Sequence, residues 1–387
     1  MSLTDPVVVW GLRGVFLAAV LWVVIRWPRA AGPGVVAILR RLVAIVVLVV
    51  LGVLNVAAPI NAQYGWYTDW ADLASLVGPI EVLPPQPVRG ATPVTAVVEK
   101  TAAFPPAAQS TAPRASTTLT LTPTTTGGGY QEVTVPGPVS GMSGTVLIWV
   151  PPSYTRPENA RREYPVIETF HGFDPAPMAY FNVFDMDQAM ADEVAAHRVS
   201  EAIIVIPYWA PGGVDTECVD GSGGRVETWL TQDVPAWVYT HLRAKSGRDS
   251  WATLGTSAGG YCSLMTTMLH PQTFATAISF GGYARPDFST SYAPFAPDSE
   301  QARRYDLTRV AASAPPVALW ALWSLPDTHL VAPQMDELMS AVRAPTSLTP
   351  TILPAGGHRS EVWTPYFPSA LAWLGATSKG FAPNPTA

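Results

Sequence analysis

One stretch, Trp251-Ala-Thr-Leu-Gly-Thr-Ser257-Ala-Gly-Gly-Tyr-Cys262, limits what this chain can fold into more than any other. Its apolar run ends in Gly-x-Ser-x-Gly and continues into Ser-Leu-Met-Thr-Thr-Met-Leu, the order strand, sharp turn, helix. Such a turn forces Ser257 into a strained backbone conformation that lifts its hydroxyl out of the sheet. Gly255 and Gly259 let neighbouring backbone pass where a Cβ would clash. A chain with 30 glycines meets this pattern by accident often enough that the flanking strand and helix must carry the inference.

The surroundings supply such a frame. Gln131-Glu-Val-Thr-Val and Gly144-Thr-Val-Leu-Ile-Trp-Val predict two antiparallel strands, and Tyr164-Pro-Val-Ile-Glu-Thr-Phe-His171-Gly predicts a strand running into a turn. Helices are expected over 187–197, 228–244, 333–342 and 363–373, with strands at 202–207, 277–280, 317–323 and a short one at 351–353. Alternation at these lengths implies an α/β domain with a mostly parallel sheet and helices on both faces. Ligands of such sheets bind at the carboxyl ends of the strands. The segment 284–315, rich in Ser, Pro and aromatics, reads as a lid or a surface loop.

Ahead of that domain the chain changes solvent. Residues 7–25 and 42–58 are almost wholly apolar and each is about long enough, with its flanks, to cross a bilayer as a helix, although Arg13 interrupts the first. Arg26, Arg29, Arg40 and Arg41 lie between them, so the positive-inside rule puts that connection in the cytoplasm and both ends outside. The expected division is a two-helix membrane anchor over 1–60 and a juxtamembrane segment with a Pro/Thr/Ala-rich tether over 61–129. The catalytic domain follows over 130–376, and a tail over 377–387.

Of 387 residues 48% are hydrophobic and 13% charged, too apolar for a disordered chain. A net charge of -6 with no basic cluster outside the anchor argues against a nucleic-acid partner. No P-loop, His-Glu-x-x-His or dinucleotide fingerprint occurs, and His197, His241 and His270 lack ligand spacing, so neither metal nor cofactor is expected. Cys218 and Cys262 are too few for a disulfide scaffold but can form one bridge; two separate buried thiols are the alternative.

Serine needs a base to take its proton, and the base needs a third group to hold its tautomer. His358, in Pro354-Ala-Gly-Gly-His-Arg-Ser-Glu-Val-Trp363, follows the last strand and precedes the closing helix, and is the candidate base; His329 is the weaker one. Asp327, just past the strand at 317–323, is the candidate acid, with Asp287 as runner-up. The oxyanion needs two N–H donors, expected from Ala258 and from Phe173, beyond the His171-Gly172 turn. His171 itself is expected to pack rather than to act as a second base.

With these residues placed, the span 130–376 resembles the putative-esterase group of α/β-hydrolases, which includes esterase D-like enzymes and antigen 85-type mycolyltransferases. Phe170-His171-Gly172 is similar to that group's oxyanion strand end, Leu269-His-Pro-Gln-Thr-Phe274 to its His-Pro-x-x-Phe, and Gly357-His358-x-x-x-x-Trp363 to its base motif. The mycolyltransferases typically carry Asp where His171 stands and Met where Ala258 stands. The resemblance implies an extracytoplasmic serine hydrolase acting on an ester or acyl-lipid substrate. Hydrolysis is the preferred reading; envelope acyl transfer and a catalytically dead envelope binding module are the alternatives. Phe173, Asp174, Trp209, Trp229 and Trp363 are candidate walls for an acceptor pocket.

Overall fold

The computed structural model describes residues 2–76, 119–173, 176–289, 292–327 and 331–383. Asp174, His329 and most of the expected tether therefore lie outside the described residues. Two compact units result, one made of Met1–Leu83 with Pro354–Val362, the other of Pro84–Leu353 with Trp363–Ala387.

In the first unit, α1 (Pro6–Arg26) opens with Asp5 as its cap, the carboxylate accepting from the Val7 N–H at 2.9 Å. Helix α2 (Val35–Tyr64) runs thirty residues and stops at Gly65, whose φ of 65° terminates it in a left-handed cap. Both helices are long and apolar enough to cross a membrane. A short α3 (Trp70–Ala74) follows, capped by Asp69.

The second unit is built on a nine-stranded sheet. In chain order its strands are β1 (Thr122–Pro123), β2 (Gly129–Pro136), β3 (Ser143–Val150), β4 (Val166–Phe170) and β5 (Ile203–Pro207). A two-residue hairpin, β6 (Asp220–Gly221) and β7 (Gly224–Arg225), stands apart before β8 (Trp251–Thr256), β9 (Thr276–Phe280), β10 (Ala318–Ser324) and β11 (Ser347–Leu353) complete the set. The spatial order is β1-β2-β3-β5-β4-β8-β9-β10-β11. Pairing is antiparallel through β3–β5 and parallel from β5 onward. Every residue of β4, β5, β8, β9 and β10 is buried, which explains why none of them alternates apolar with exposed polar positions: helices cover both faces of a parallel sheet.

Those helices are α4 (Ala179–Asn182), α5 (Met186–Ala195), α6 (Val226–Thr228), α7 (Val234–His241), α8 (Ala258–Leu269), α9 (Glu300–Arg304), α10 (Leu307–Ala312), α11 (Val331–Ala341) and α13 (Phe367–Thr377), with α12 (Ser360–Trp363) ahead of the last. The differences from the sequence reading have local causes. The helix expected over 228–244 starts at Val226, widens into a π-turn at Trp229–Asp233 and ends at His241. Pro235 supplies no N–H to a regular ladder there. The closing helix is split by Pro365 and Pro368 into α12, a 3-10 turn at Thr364–Tyr366 and α13. Strand β11 begins four residues earlier than its expected start at Thr351. It is the edge strand, where Pro350 costs no ladder bond on its open side. The segment read as a lid or loop contains α9 and α10, with Tyr305, Leu307 and Ala311 buried. At the other edge, Thr122–Pro123, within the expected tether, pair with β2, whose first residue, Gly129, is the tether's expected end.

Candidate active site

Parallel strands deliver their carboxyl ends to one edge of the sheet, and the loops after β4, β8 and β10 leave from it. Strand β8 ends at Thr256, and Ser257 follows at φ 56° and ψ -122°, a conformation few side-chain-bearing residues adopt. The turn is held from both sides. The Ser257 N–H donates to the Phe280 carbonyl at 2.8 Å, and its own carbonyl accepts from Gly260 at 2.8 Å and Tyr261 at 3.1 Å, starting α8. A Cβ on Gly255 would strike the Gly259 carbonyl, and one on Gly259 would strike the carbonyl of Phe170. The two glycines of the motif are thus required by the crossing of β8, α8 and the end of β4. Ser257 is half-buried and Ala258, the first residue of α8, is buried.

The end of β4 lies against this elbow. A Cβ built on Gly172 would sit 3.6 Å from the Ser257 Cβ and 3.6 Å from the Thr256 carbonyl oxygen. The preceding residue, His171, is buried, stacked on Trp209 with ring centroids 5.2 Å apart, and its Nδ1 lies 2.6 Å from the Gly172 carbonyl oxygen. Trp209 in turn donates its indole N–H to the His171 carbonyl at 2.9 Å. The turn is therefore clamped through backbone and ring contacts. Phe173 beyond it is 44% exposed. A residue the sequence did not single out, Tyr180, closes the arrangement: its hydroxyl donates to the Phe170 carbonyl at 2.7 Å, and burial raises its pKa.

Asp327 follows β10 and is buried; its N–H donates to the Ser324 carbonyl at 3.1 Å and its carbonyl accepts from Ala332 at 2.9 Å, tying the loop to α11. Asp287 is exposed and belongs to a different cluster, with Asp215 and buried Glu217. Burial, reinforced by the charge of Asp215, raises Glu217 well above the usual carboxylate range, and burial pushes Asp215 up to about 6. Cys218, next to Glu217, is bridged to Cys262 on α8, so the two thiols expected as alternatives are one disulfide. Of the candidate wall residues, Trp209 and Trp229 are wholly buried; Trp229 gives its N–H to the Val135 carbonyl at 3.3 Å and packs over Gly144. Both are core, because their indoles complete the packing of sheet and helix. Trp363 is also buried.

His358 lies in the loop that leaves β11, residues 354–362, which belongs to the first unit. Its N–H donates to the Gly65 carbonyl at 2.9 Å, and a Cβ on Gly357 would collide with the carbonyl of Trp66. Among the described residues no group of three or more His, Cys, Asp or Glu side chains is arranged to hold a metal ion.

A family model described as Putative esterase matches residues 140–374. An uncharacterized protein of Corynebacterium glutamicum is 27% identical over 143 residues, which is 37% of this chain and 33% of the relative, so the aligned part spans about a third of that relative's length. Among solved structures, a ferulic acid esterase superposes with a TM-score of 0.53 at 18% identity, covering 66% of this chain and 99% of that one. An S-formylglutathione hydrolase from Agrobacterium tumefaciens gives 0.55 at 16% identity, covering 66% and 97%. At such identities the likeness to solved structures concerns the fold.

Proposed function

The chain belongs to the family described as Putative esterase and has the α/β-hydrolase fold, and on this premise we propose that it is a membrane-anchored serine esterase whose hydrolase domain faces outward from the cytoplasm. The observation that carries the reading is Ser257 at φ 56°, fixed between a buried strand and a buried helix and backed by Gly172. Strain of about 1–3 kcal/mol at such a residue is maintained where it serves chemistry.

In the proposed mechanism Ser257 Oγ attacks the ester carbonyl carbon while His358 takes its proton. Asp327 holds the imidazole in the working tautomer and stabilises the imidazolium. The N–H groups of Ala258 and Phe173 receive the oxyanion. Collapse of the tetrahedral intermediate expels the alcohol with the proton held by His358, leaving acyl-Ser257. Water, deprotonated by His358, then attacks the acyl carbon, and the carboxylic acid leaves as Ser257 recovers its proton. The order serine, acid, histidine along the chain, each beyond a strand end, supports these roles.

Anchoring rests on α1 and α2, and orientation on Arg26, Arg29, Arg40 and Arg41 between the helices, with the disulfide favouring an oxidising compartment. The test is Ser257→Ala in the full chain. It should keep the fold and lose fluorophosphonate labelling and hydrolysis of a p-nitrophenyl ester by several orders of magnitude. A labelled, active variant refutes the role of Ser257. Supplying an activated acyl ester with and without trehalose separates hydrolysis from transfer: free acid in both mixtures supports an esterase, and dominant acyl-trehalose overturns it.

A further inference from the structure

The loop that carries His358 is bound by the residues that follow α2. Beyond the Gly65 bond to the His358 N–H, the guanidinium of the neighbouring Arg359 is held by the same turn. Its Nη1 donates to the Trp66 carbonyl at 2.6 Å, and its Nη2 donates to Asp72 Oδ1 at 2.6 Å and Ser75 Oγ at 3.1 Å. The cation also lies over the Tyr67 ring, 4.6 Å from its centroid. Side-chain exposure falls to 11% for Arg359 and 6% for Asp72.

Asp72 is itself locked. Its second oxygen accepts from the Thr68 N–H at 2.9 Å and from the Thr68 hydroxyl at 3.3 Å. The Thr68 carbonyl accepts from the Leu3 N–H at 2.8 Å, and Asn61 near the end of α2 makes two 2.8 Å bonds to the Tyr67 backbone. The turn at Gly65–Ser75 is thereby fastened to the start of α1, to the end of α2 and to the loop at 354–362. Gly356 takes a φ of 105°, and Gly357 passes the Trp66 carbonyl so closely that a Cβ there would strike it, so loop and turn meet backbone to backbone.

A guanidinium whose two amino groups are given to a carbonyl, a carboxylate and a hydroxyl is fixed in direction as well as in charge, because its planar fork presents its donors in set directions. The geometry points to Arg359 and Asp72 as positioning residues: the juxtamembrane turn sets where His358 stands, so the anchor is part of the catalytic apparatus and not merely a tether. This rests on the reading of His358 as the base. It separates two roles that a two-helix anchor can have, since a tether is replaceable by any other and a positioning turn is not.

The test uses the full chain in detergent micelles with a p-nitrophenyl ester, and normalises kcat to the serine titrated at the endpoint by a fluorophosphonate. Asp72→Asn, Arg359→Gln and their double variant should each lower kcat per titrated serine about 10- to 100-fold with little change in KM, the scale expected of an ångström-sized misplacement. The double variant should be no worse than the poorer single one, and Arg359→Lys should recover part of the loss by restoring the charge pair without the fork. Thermal unfolding followed alongside identifies a variant that has simply lost its fold; Arg359→Lys then carries the comparison. Wild-type kcat in Asp72→Asn and Arg359→Gln, while Ser257→Ala and His358→Ala are inactive, overturns the positioning role and leaves the triad standing. Full activity in His358→Ala removes the base and the positioning role with it.

Discussion

Reduction of the Cys218–Cys262 bridge offers a perturbation whose size follows from the chain itself. The bridge closes a loop with a sequence separation of 44. Chain-entropy loss on closing such a loop corresponds to about 4 kcal/mol at 25 °C. For a domain of this size each kcal/mol moves the midpoint by about 2–4 °C, so the double variant Cys218→Ser, Cys262→Ser should melt about 8–16 °C below the parent. A local effect adds to the global one. Glu217 and Cys218 both have positive φ, 49° and 58°, and the bridge holds this turn to α8, the helix that Ser257 opens. The experiment is thermal unfolding by tryptophan fluorescence of the parent, the parent under a phosphine reductant, and the double variant, with esterase activity measured at 25 °C. The reduced parent and the double variant should coincide. A shift below about 2 °C in both would refute the argument, because the cross-link would then constrain little that the packed core does not already hold.

Other measurements address independent features. Glu168 in β4 is fully buried with no hydrogen-bond partner for either oxygen among the described residues, and burial raises its pKa well above 4.5. The folded chain then keeps a proton that the unfolded chain releases, so stability falls as pH rises above about 4.5, and Glu168→Gln should flatten that fall in melting curves from pH 5 to 8; an unchanged slope would count against it. Asp215, pushed up to about 6 from 3.8, acts in the same direction over that narrower window, and Asp215→Asn should remove its share. Gly259→Ala should destabilise the domain by about 1–3 kcal/mol or more, since its Cβ meets the Phe170 carbonyl; a parental melting temperature would contradict that crossing. An alkaline phosphatase fused after Tyr130 should be active and one fused between Arg29 and Arg40 inactive, the reverse pattern refuting the proposed orientation.

What was legible in the sequence is what short-range chemistry dictates. The elbow could be read because its glycines answer to contacts between successive elements, and the buried strands because parallel sheets exclude water from both faces. Pro350 concealed half of β11, as a proline tolerated on an open edge looks locally like a strand breaker. The π-turn at Trp229–Asp233 had no periodic signature, since a single widened turn displaces the apolar face without erasing it. Cys218 with Cys262 stayed ambiguous because pairing depends on where two distant segments meet. Arg359 carries no such signal although it adjoins His358: its partner Asp72 lies 287 residues away, and nothing local marks an arginine that will be largely buried.

That separation also governs when the first unit can be finished. Trp66, Asp72 and Ser75 follow the apolar helices directly, yet they receive the guanidinium of Arg359 only after a further 284 to 293 residues have been made. At about 5–20 residues per second the ribosome needs about 15–60 s to cover that distance. Throughout it the carboxylate of Asp72 waits without its cation, while β1 to β11 are synthesised in the interval. The first unit is therefore begun with its apolar helices and finished only when the loop at 354–362 arrives, and a chain released before Arg359 lacks the piece that completes that unit.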